Sequence, residues 1–195
     1  MGIEMKSFIL IILIIAFLII GCSGETENGG LVKQEEFVGK GTTVRNEVVS
    51  MKLISPAFAN NGRIPPEYTC DGSGTSPELN IADVPKNAKS LVLINDDPDA
   101  PVGVWDHWIV FNIPATTAKI SKGEEPNGAG GRNSWGRTGY GGPCPPSGVH
   151  RYFFKLYALD ALLNLKEGAD KKQIEAAMQG HILAQAELMG TYKRQ

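Results

Sequence analysis

The chain has 195 residues, with 19 Lys plus Arg against 21 Asp plus Glu and a formal net charge of -2, a length that suits one domain rather than two. It has no basic surplus to neutralise a phosphate backbone, which disfavours nucleic-acid binding. Twelve Pro and 23 Gly in a chain that is 42% hydrophobic point to a loop-rich fold with a real core, against both a helical bundle and a disordered tail.

Thirteen consecutive apolar residues, Phe8 to Ile20, follow Lys6. A membrane-spanning helix needs about 20 apolar residues, whereas the core of a signal peptide needs about 7 to 15 behind a positive start. Residues 1–21 are therefore read as a cleaved leader. The run ends in Ile19-Ile20-Gly21-Cys22, which resembles the lipobox of exported lipoproteins. That resemblance implies lipidation of Cys22 and a mature protein held on the extracytoplasmic face of a membrane. Residues 22–43 are rich in Gly and polar side chains and read as a flexible tether. The domain proper is expected over residues 44–195.

Within the domain, short apolar runs alternate with Pro and Gly punctuation. Val48–Ser55, Leu79–Ala82 and Ser90–Asn95 read as strands, the last so uniformly apolar that burial on both faces is expected. His107–Ile113 and Tyr152–Leu159, rich in aromatic and β-branched residues, read as two more. Near the C-terminus the period changes. Asp170 and Gln173 form a capping-box signature, with Ile174, Ala177 and Met178 and then Ile182, Ala186 and Met189 at helical spacing. Two helices divided by Gly180 are expected. Between Ser121 and Val149 lie nine Gly and four Pro in 29 residues. A loop of that length, ending directly in a strong strand and carrying Trp135 and Tyr140, reads as a site-building segment.

If Cys22 is lipidated, Cys70 and Cys144 remain. In an oxidising compartment such a pair is a disulfide candidate, with two free thiols the alternative. Neither has a Cys or His neighbour at zinc-site spacing.

The chemistry-bearing residues gather around His107 and His150. Asp96-Asp97-Pro98-Asp99-Ala100-Pro101 closes the buried strand and crowds three carboxylates that need partners. His107 follows eight residues after Asp99, and His150 opens a later strand. If these strands share a sheet, two imidazoles and a carboxylate converge at one end of it. Four readings stand: a structural network, an anion site with close backbone approach at Gly141 and Gly142, a two-His one-carboxylate metal site without local ligand spacing, and a hydrolase. The last lacks a Gly-x-Ser-x-Gly elbow, and Ser147 has no motif around it. His181 reads as structural, and Arg132, Asn133 and Arg137 as a rim or a solvated face.

Asp97-Pro98-Asp99-Ala100-Pro101, Trp105-Asp106-His107-Trp108, Gly139-Tyr140-Gly141-Gly142-Pro143-Cys144-Pro145-Pro146 and Gly148-Val149-His150-Arg151-Tyr152 together resemble the motifs of the phosphatidylethanolamine-binding, or Raf-kinase-inhibitor-like, family. Tyr68-Thr69-Cys70-Asp71-Gly72 and Gly180-His181-Ile182-Leu183-Ala184 resemble its bacterial and archaeal branch.

The resemblance implies a mainly β fold, with a large antiparallel sheet packed by a second smaller sheet and short C-terminal helices. It also implies a small pocket for phosphate-like anions and phosphorylated headgroups. Carried onto this chain, Asp97, Ala100 and Pro101 form one wall, Trp105 and His107 the next, Gly142 and Pro143 the loop side, and His150 with Tyr152 the floor. Asp71 joins through a Cys70 to Cys144 bridge, and cis X-Pro bonds are expected in the aspartate turn. No cofactor is implied. The expected function is a lipid-anchored binding protein for a small anionic ligand, whose affinity falls as the histidines lose protons. A protease or other enzyme inhibitor is the alternative, and a weak phosphoester hydrolase a further one.

Overall fold

The computed structural model describes residues 50–195. The leader, the tether and Cys22 lie outside the described residues, as does the start of the strand expected from Val48. Among the described residues the elements are, in chain order, β1 (Lys52–Ile54), β2 (Gly62–Arg63), β3 (Leu79–Ala82), β4 (Ser90–Asp97), β5 (Trp105–Pro114), β6 (Lys119–Ile120), β7 (Ala129–Gly130), β8 (His150–Leu159), α1 (Lys171–Met178) and β9 (Ile182–Tyr192), with a 3-10 turn at Pro66–Tyr68.

They build two sheets. The smaller has the order β1-β3-β6 and the larger β2-β9-β8-β4-β5-β7. The larger is antiparallel except at its edge, where the two residues of β2 run parallel to β9.

β4 is buried along its whole length, as its unbroken apolar run requires. Strand alternation splits it between two cores. Leu91 and Leu93 face the main core, with Trp108, Tyr152, Phe154 and Leu156. Val92 and Ile94 face a second core, closed by Ile174 and Met178 of α1. The polar end of the strand inherits the same alternation. Asp96 points to the α1 side, where it accepts from Lys155 Nζ at 2.9 Å and from Lys171 Nζ at 2.6 Å. Lys171 also donates to Asp106 at 2.9 Å. This network fixes α1 to the ends of β4 and β5, leaving Asp97 for the opposite face.

α1 begins as its capping box predicts. Asp170 Oδ1 accepts from Gln173 N at 2.9 Å, and Gln173 Oε1 accepts from Asp170 N at 3.0 Å. The second expected helix is instead β9. Ile182, Ala186 and Met189 do fall at helical spacing, and Ala, Gln, Glu, Leu and Met are good helix formers. Pairing overrides that preference, because β9 bonds β8 from Leu159↔Ile182 to His150↔Tyr192. The pattern that matters has period two, since Ala184, Ala186, Leu188 and Tyr192 all pack toward the main core.

Strand limits also move toward the site. β4 extends to Asp97, β5 starts at Trp105, and β8 starts at His150. The aspartate turn is trans throughout, since no cis peptide occurs among the described residues.

Candidate functional site

The site lies where β4 ends and β5 and β8 begin. In β8, His150 and Tyr152 share the inward face with Phe154 and Leu156. In β5, alternation alone would send His107 and Trp108 to opposite faces. A register shift intervenes. Asn95 pairs with Trp108 and Asp96 with Asp106, so His107 is left as the unpaired extra residue. Such a bulge turns a side chain from its regular direction. The imidazole of His107 lies edge-on to Tyr152, 5.2 Å between centroids, on the face opposite the Asp106–Lys171 pair.

His150 donates from Nδ1 to Asp97 Oδ2 at 2.7 Å, and both groups are buried. Asp97 Oδ1 accepts from the backbone N–H of Asp99 at 2.8 Å, which shapes the turn that follows. Asp99 itself faces outward and is claimed by Arg151, which reaches it through Nε at 2.9 Å and Nη2 at 2.7 Å. Those hydrogen bonds hold the Asp99 carboxyl down at about 2.

His107 donates from Nδ1 to the carbonyl of Gly141 at 2.7 Å, and Gly141 N returns a bond to the His107 carbonyl at 2.9 Å. Burial lowers its pKa, opposed by the Gly141 carbonyl and by the charge of Asp97. The neutral ring therefore prevails at neutral pH, with Nε2 as an acceptor. Tyr152 lies behind it, fully buried, with a hydroxyl that has no partner among the described residues. Burial first and the nearby Asp97 second push that hydroxyl's pKa up.

A cavity of about 300 Å³ opens in front of these groups. Of the residues named from the motifs, Asp97, Ala100, Pro101, Trp105, His107 and His150 line it. Four anticipated residues do not. Tyr152 supports His107 from behind. Gly142 and Pro143 are spent on the neighbouring loop, where a Cβ on Gly142 would stand 2.8 Å from the Tyr68 carbonyl and Pro143 O accepts from Cys70 N at 3.1 Å. The loop side of the cavity is instead Cys144, Pro145 and Pro146. Asp71 turns away, because its carboxylate accepts from Tyr192 Oη at 2.7 Å and from Gln195 N at 3.2 Å.

Cys70 and Cys144 are joined by a disulfide, with Cα atoms 5.4 Å apart. It fastens the Thr69-Cys70 loop to the wall that Cys144 contributes.

Motif reasoning missed Trp135 and Val102 as cavity residues. Trp135 stands edge-on to both Trp105, at 5.4 Å, and His107, at 5.0 Å. Its loop is organised by Asn133, one of the few buried polar residues. Asn133 Oδ1 accepts from Trp135 N at 3.0 Å and Arg137 N at 3.3 Å, while Nδ2 donates to the Gly139 carbonyl at 3.0 Å. Gly141 is required here by space, since a Cβ would meet Trp135 Cζ3 at 2.3 Å. Of the other loop residues, Arg132 pairs with Asp170 and Arg137 stacks over Trp135. Far from the site, His181 pairs with Asp160 at 2.8 Å. Among the described residues no group of three or more His, Cys, Asp and Glu stands ready to hold a metal ion.

Two imidazoles and a carboxylate thus face one apolar-walled cavity, which suits a small polar ligand. A UPF0098 protein of Methanothermobacter thermautotrophicus is 53% identical over 150 residues, covering 74% of this chain and 99% of its own length. A UPF0098 protein of Chlamydia pneumoniae is 48% identical over 149 residues, 74% of this chain and 99% of the relative. Among solved structures, the phosphatidylethanolamine-binding protein homologue CT736 of Chlamydia trachomatis superposes with a TM-score of 0.74 at 47% identity, covering 75% of this chain and 99% of that one. YbcL of E. coli, described as a new member of the mammalian PEBP family, gives 0.70 at 29% identity with the same coverage. The sequence profile of the phosphatidylethanolamine-binding protein family matches residues 54–193, and the chain belongs to that family.

Proposed function

We propose that this protein is a lipid-anchored, extracytoplasmic binding protein whose cavity holds a small phosphate-bearing anion or phospholipid headgroup. The observation that carries the reading is the buried Asp97–His150 pair facing the same cavity as His107. Asp97 occupies Nδ1 of His150, so Nε2 is the ring nitrogen left for a ligand. An anionic oxygen at that point favours a proton on Nε2, and the charged ring then lies between ligand and carboxylate. A ligand ammonium, where present, has Asp97 as its acceptor. Binding therefore draws protons into the site, and affinity rises as pH falls. Trp105, Trp135 and Pro101 supply apolar wall beside these contacts.

The anchor and the compartment rest on the leader and Cys22, which are sequence features. The disulfide supports the compartment, since such bonds persist outside reducing cytoplasm.

The Asp97–His150 pair also resembles an acid–base dyad, which keeps hydrolysis as a second reading. The test is calorimetric titration of Asn46–Gln195 with inorganic phosphate and with phosphoethanolamine, in two buffers of different ionisation enthalpy. One saturable site with proton uptake, lost in His150→Ala, is expected. Turnover of phosphoethanolamine during the titration would instead favour the hydrolase. Heats that do not saturate, or that His150→Ala leaves intact, would remove the anion reading.

A further inference from the structure

Cys144 contributes to the cavity wall, whereas its disulfide partner Cys70 does not. Both cysteines are exposed, although Pro143 and Pro145 on either side of Cys144 are buried. One half of the bridge is thus offered to whatever occupies the cavity, and the other half stands outside it. A disulfide is cleaved by a thiolate that attacks one sulfur while the other departs. A thiol held in the cavity meets Cys144, with Cys70 as the leaving group.

The two loops do not depend on the sulfurs alone. Cys70 N donates to Pro143 O at 3.1 Å, and Tyr140 Oη donates to the Tyr68 carbonyl at 2.8 Å. Gly142 packs so closely on Tyr68 that a Cβ would stand 2.8 Å from the same carbonyl. The segments around Cys70 and Cys144 therefore stay together when the bridge opens, and the freed Cys70 thiol remains beside Cys144. Groups held in this way react at a high effective concentration, which makes the opening reversible. The cavity also supplies what the attack requires. Thiolate is the reactive form of a thiol, and the neutral ring of His107 offers Nε2 as an acceptor for the thiol proton.

We propose that the cavity is a thiol–disulfide exchange site, in which a small thiol carrying a phosphate group attacks Cys144. The choice of a phosphate-bearing thiol rests on the anion reading above. The thiol gives its proton to His107 Nε2, and the sulfur lone pair forms a new S–S bond with Cys144 Sγ. The electron pair of the Cys70–Cys144 bond leaves on Cys70 Sγ, which takes a proton from solvent. One disulfide is consumed and one is formed. Attack by Cys70 on the adduct reverses the step, so the ligand is held covalently in the cavity until Cys70 returns.

The test uses Asn46–Gln195, a compact unit in which Cys70 and Cys144 are the only cysteines. The match to the Methanothermobacter relative spans 99% of that chain, so a domain of this length stands without leader or tether. Mercaptoethyl phosphate and mercaptoethanol are compared at equal thiolate concentration, with acid quenching, maleimide trapping of the freed thiol and peptide mass spectrometry. The phosphate thiol is expected to react about tenfold faster or more, with the adduct on Cys144 and the trapped thiol on Cys70. Its rate should saturate, be competed by inorganic phosphate and fall in His150→Ala. Cys70→Ser, which removes the returning thiol, is expected to form the same adduct faster from the symmetrical disulfide of mercaptoethyl phosphate than from that of mercaptoethanol. Equal rates for the two reagents, or an adduct on Cys70, would overturn the exchange site. Equal rates alongside calorimetric phosphate binding sink exchange alone, and equal rates without phosphate binding sink the anion cavity as well.

Discussion

His150 Nδ1 donates to Asp97 Oδ2 at 2.7 Å, with both side chains almost fully buried at the wall of one cavity. The pair sets the ligand preference. A carboxylate beside a bound phosphate is unfavourable by itself, and a ligand that also carries an ammonium offsets that repulsion. Phosphoethanolamine should therefore bind more tightly than inorganic phosphate, and Asp97→Asn should shrink the ratio between them. A ratio unchanged in Asp97→Asn, measured by calorimetry, would show that the carboxylate does not see the ligand ammonium.

His107 gives a pH dependence of stability. Its folded pKa is lowered by burial, so as pH falls the unfolded chain takes up the proton first. The stability it contributes is present above about 6.5 and is lost as pH falls through the lowered folded value. His107→Gln, which keeps a donor for the Gly141 carbonyl, should reduce the loss of stability between about pH 7 and 5 in urea unfolding. Asp99 acts in a separate window. Its pKa of about 2 means that its contribution is lost only below about 4. Parallel pH profiles for wild type and His107→Gln would contradict the assignment.

Reducing the Cys70–Cys144 bond should cost stability and loosen the cavity together. The residues are 74 apart in sequence, and loop entropy puts the stabilisation at about 4 kcal/mol. Cys144→Ser should lower the urea midpoint and weaken phosphate binding. A midpoint unmoved by a thiol reductant would mean that the bridge constrains little in the unfolded chain.

Gly141→Ala isolates the role of Trp135. An added methyl would meet the indole at 2.3 Å, whereas the His107–Gly141 bond uses only backbone atoms of residue 141. Overpacking of this kind costs about 1 to 3 kcal/mol. The expected result is a modest loss of stability with changed tryptophan fluorescence and weaker phosphate binding. Unaltered fluorescence would show that Trp135 accommodates the methyl without leaving the cavity.

Much of this fold was legible because the signals were local. The apolar run within Ser90–Asn95 marked β4, and Asp170 with Gln173 marked the start of α1. Where local and long-range signals conflicted, the reading failed. Ile182–Tyr192 carries helix-forming residues, yet its strand is made by pairing with β8, which no window of sequence contains. At the site, Asp97, His107 and His150 were recognisable from their motifs. The bulge that turns His107 inward depends on the register between β4 and β5. Trp135 comes from a loop with no periodicity and is placed by hydrogen bonds to Asn133. Asp71 was assigned through its cysteine neighbour, but the bridge positions the backbone while Tyr192 captures the carboxylate.

The chain contains three histidines, which allows the central claim to be tested by direct observation. His107 and His150 line the cavity. His181 lies beside the start of β9, whereas His150 pairs with Tyr192 at its end. Imidazole resonances of Asn46–Gln195, followed by NMR during titration with phosphoethanolamine, report on all three at once. The account predicts that His107 and His150 shift together along one saturation curve while His181 stays still. Shifts of equal size at all three, or none at His107 and His150, would contradict a phosphate-binding cavity at this site.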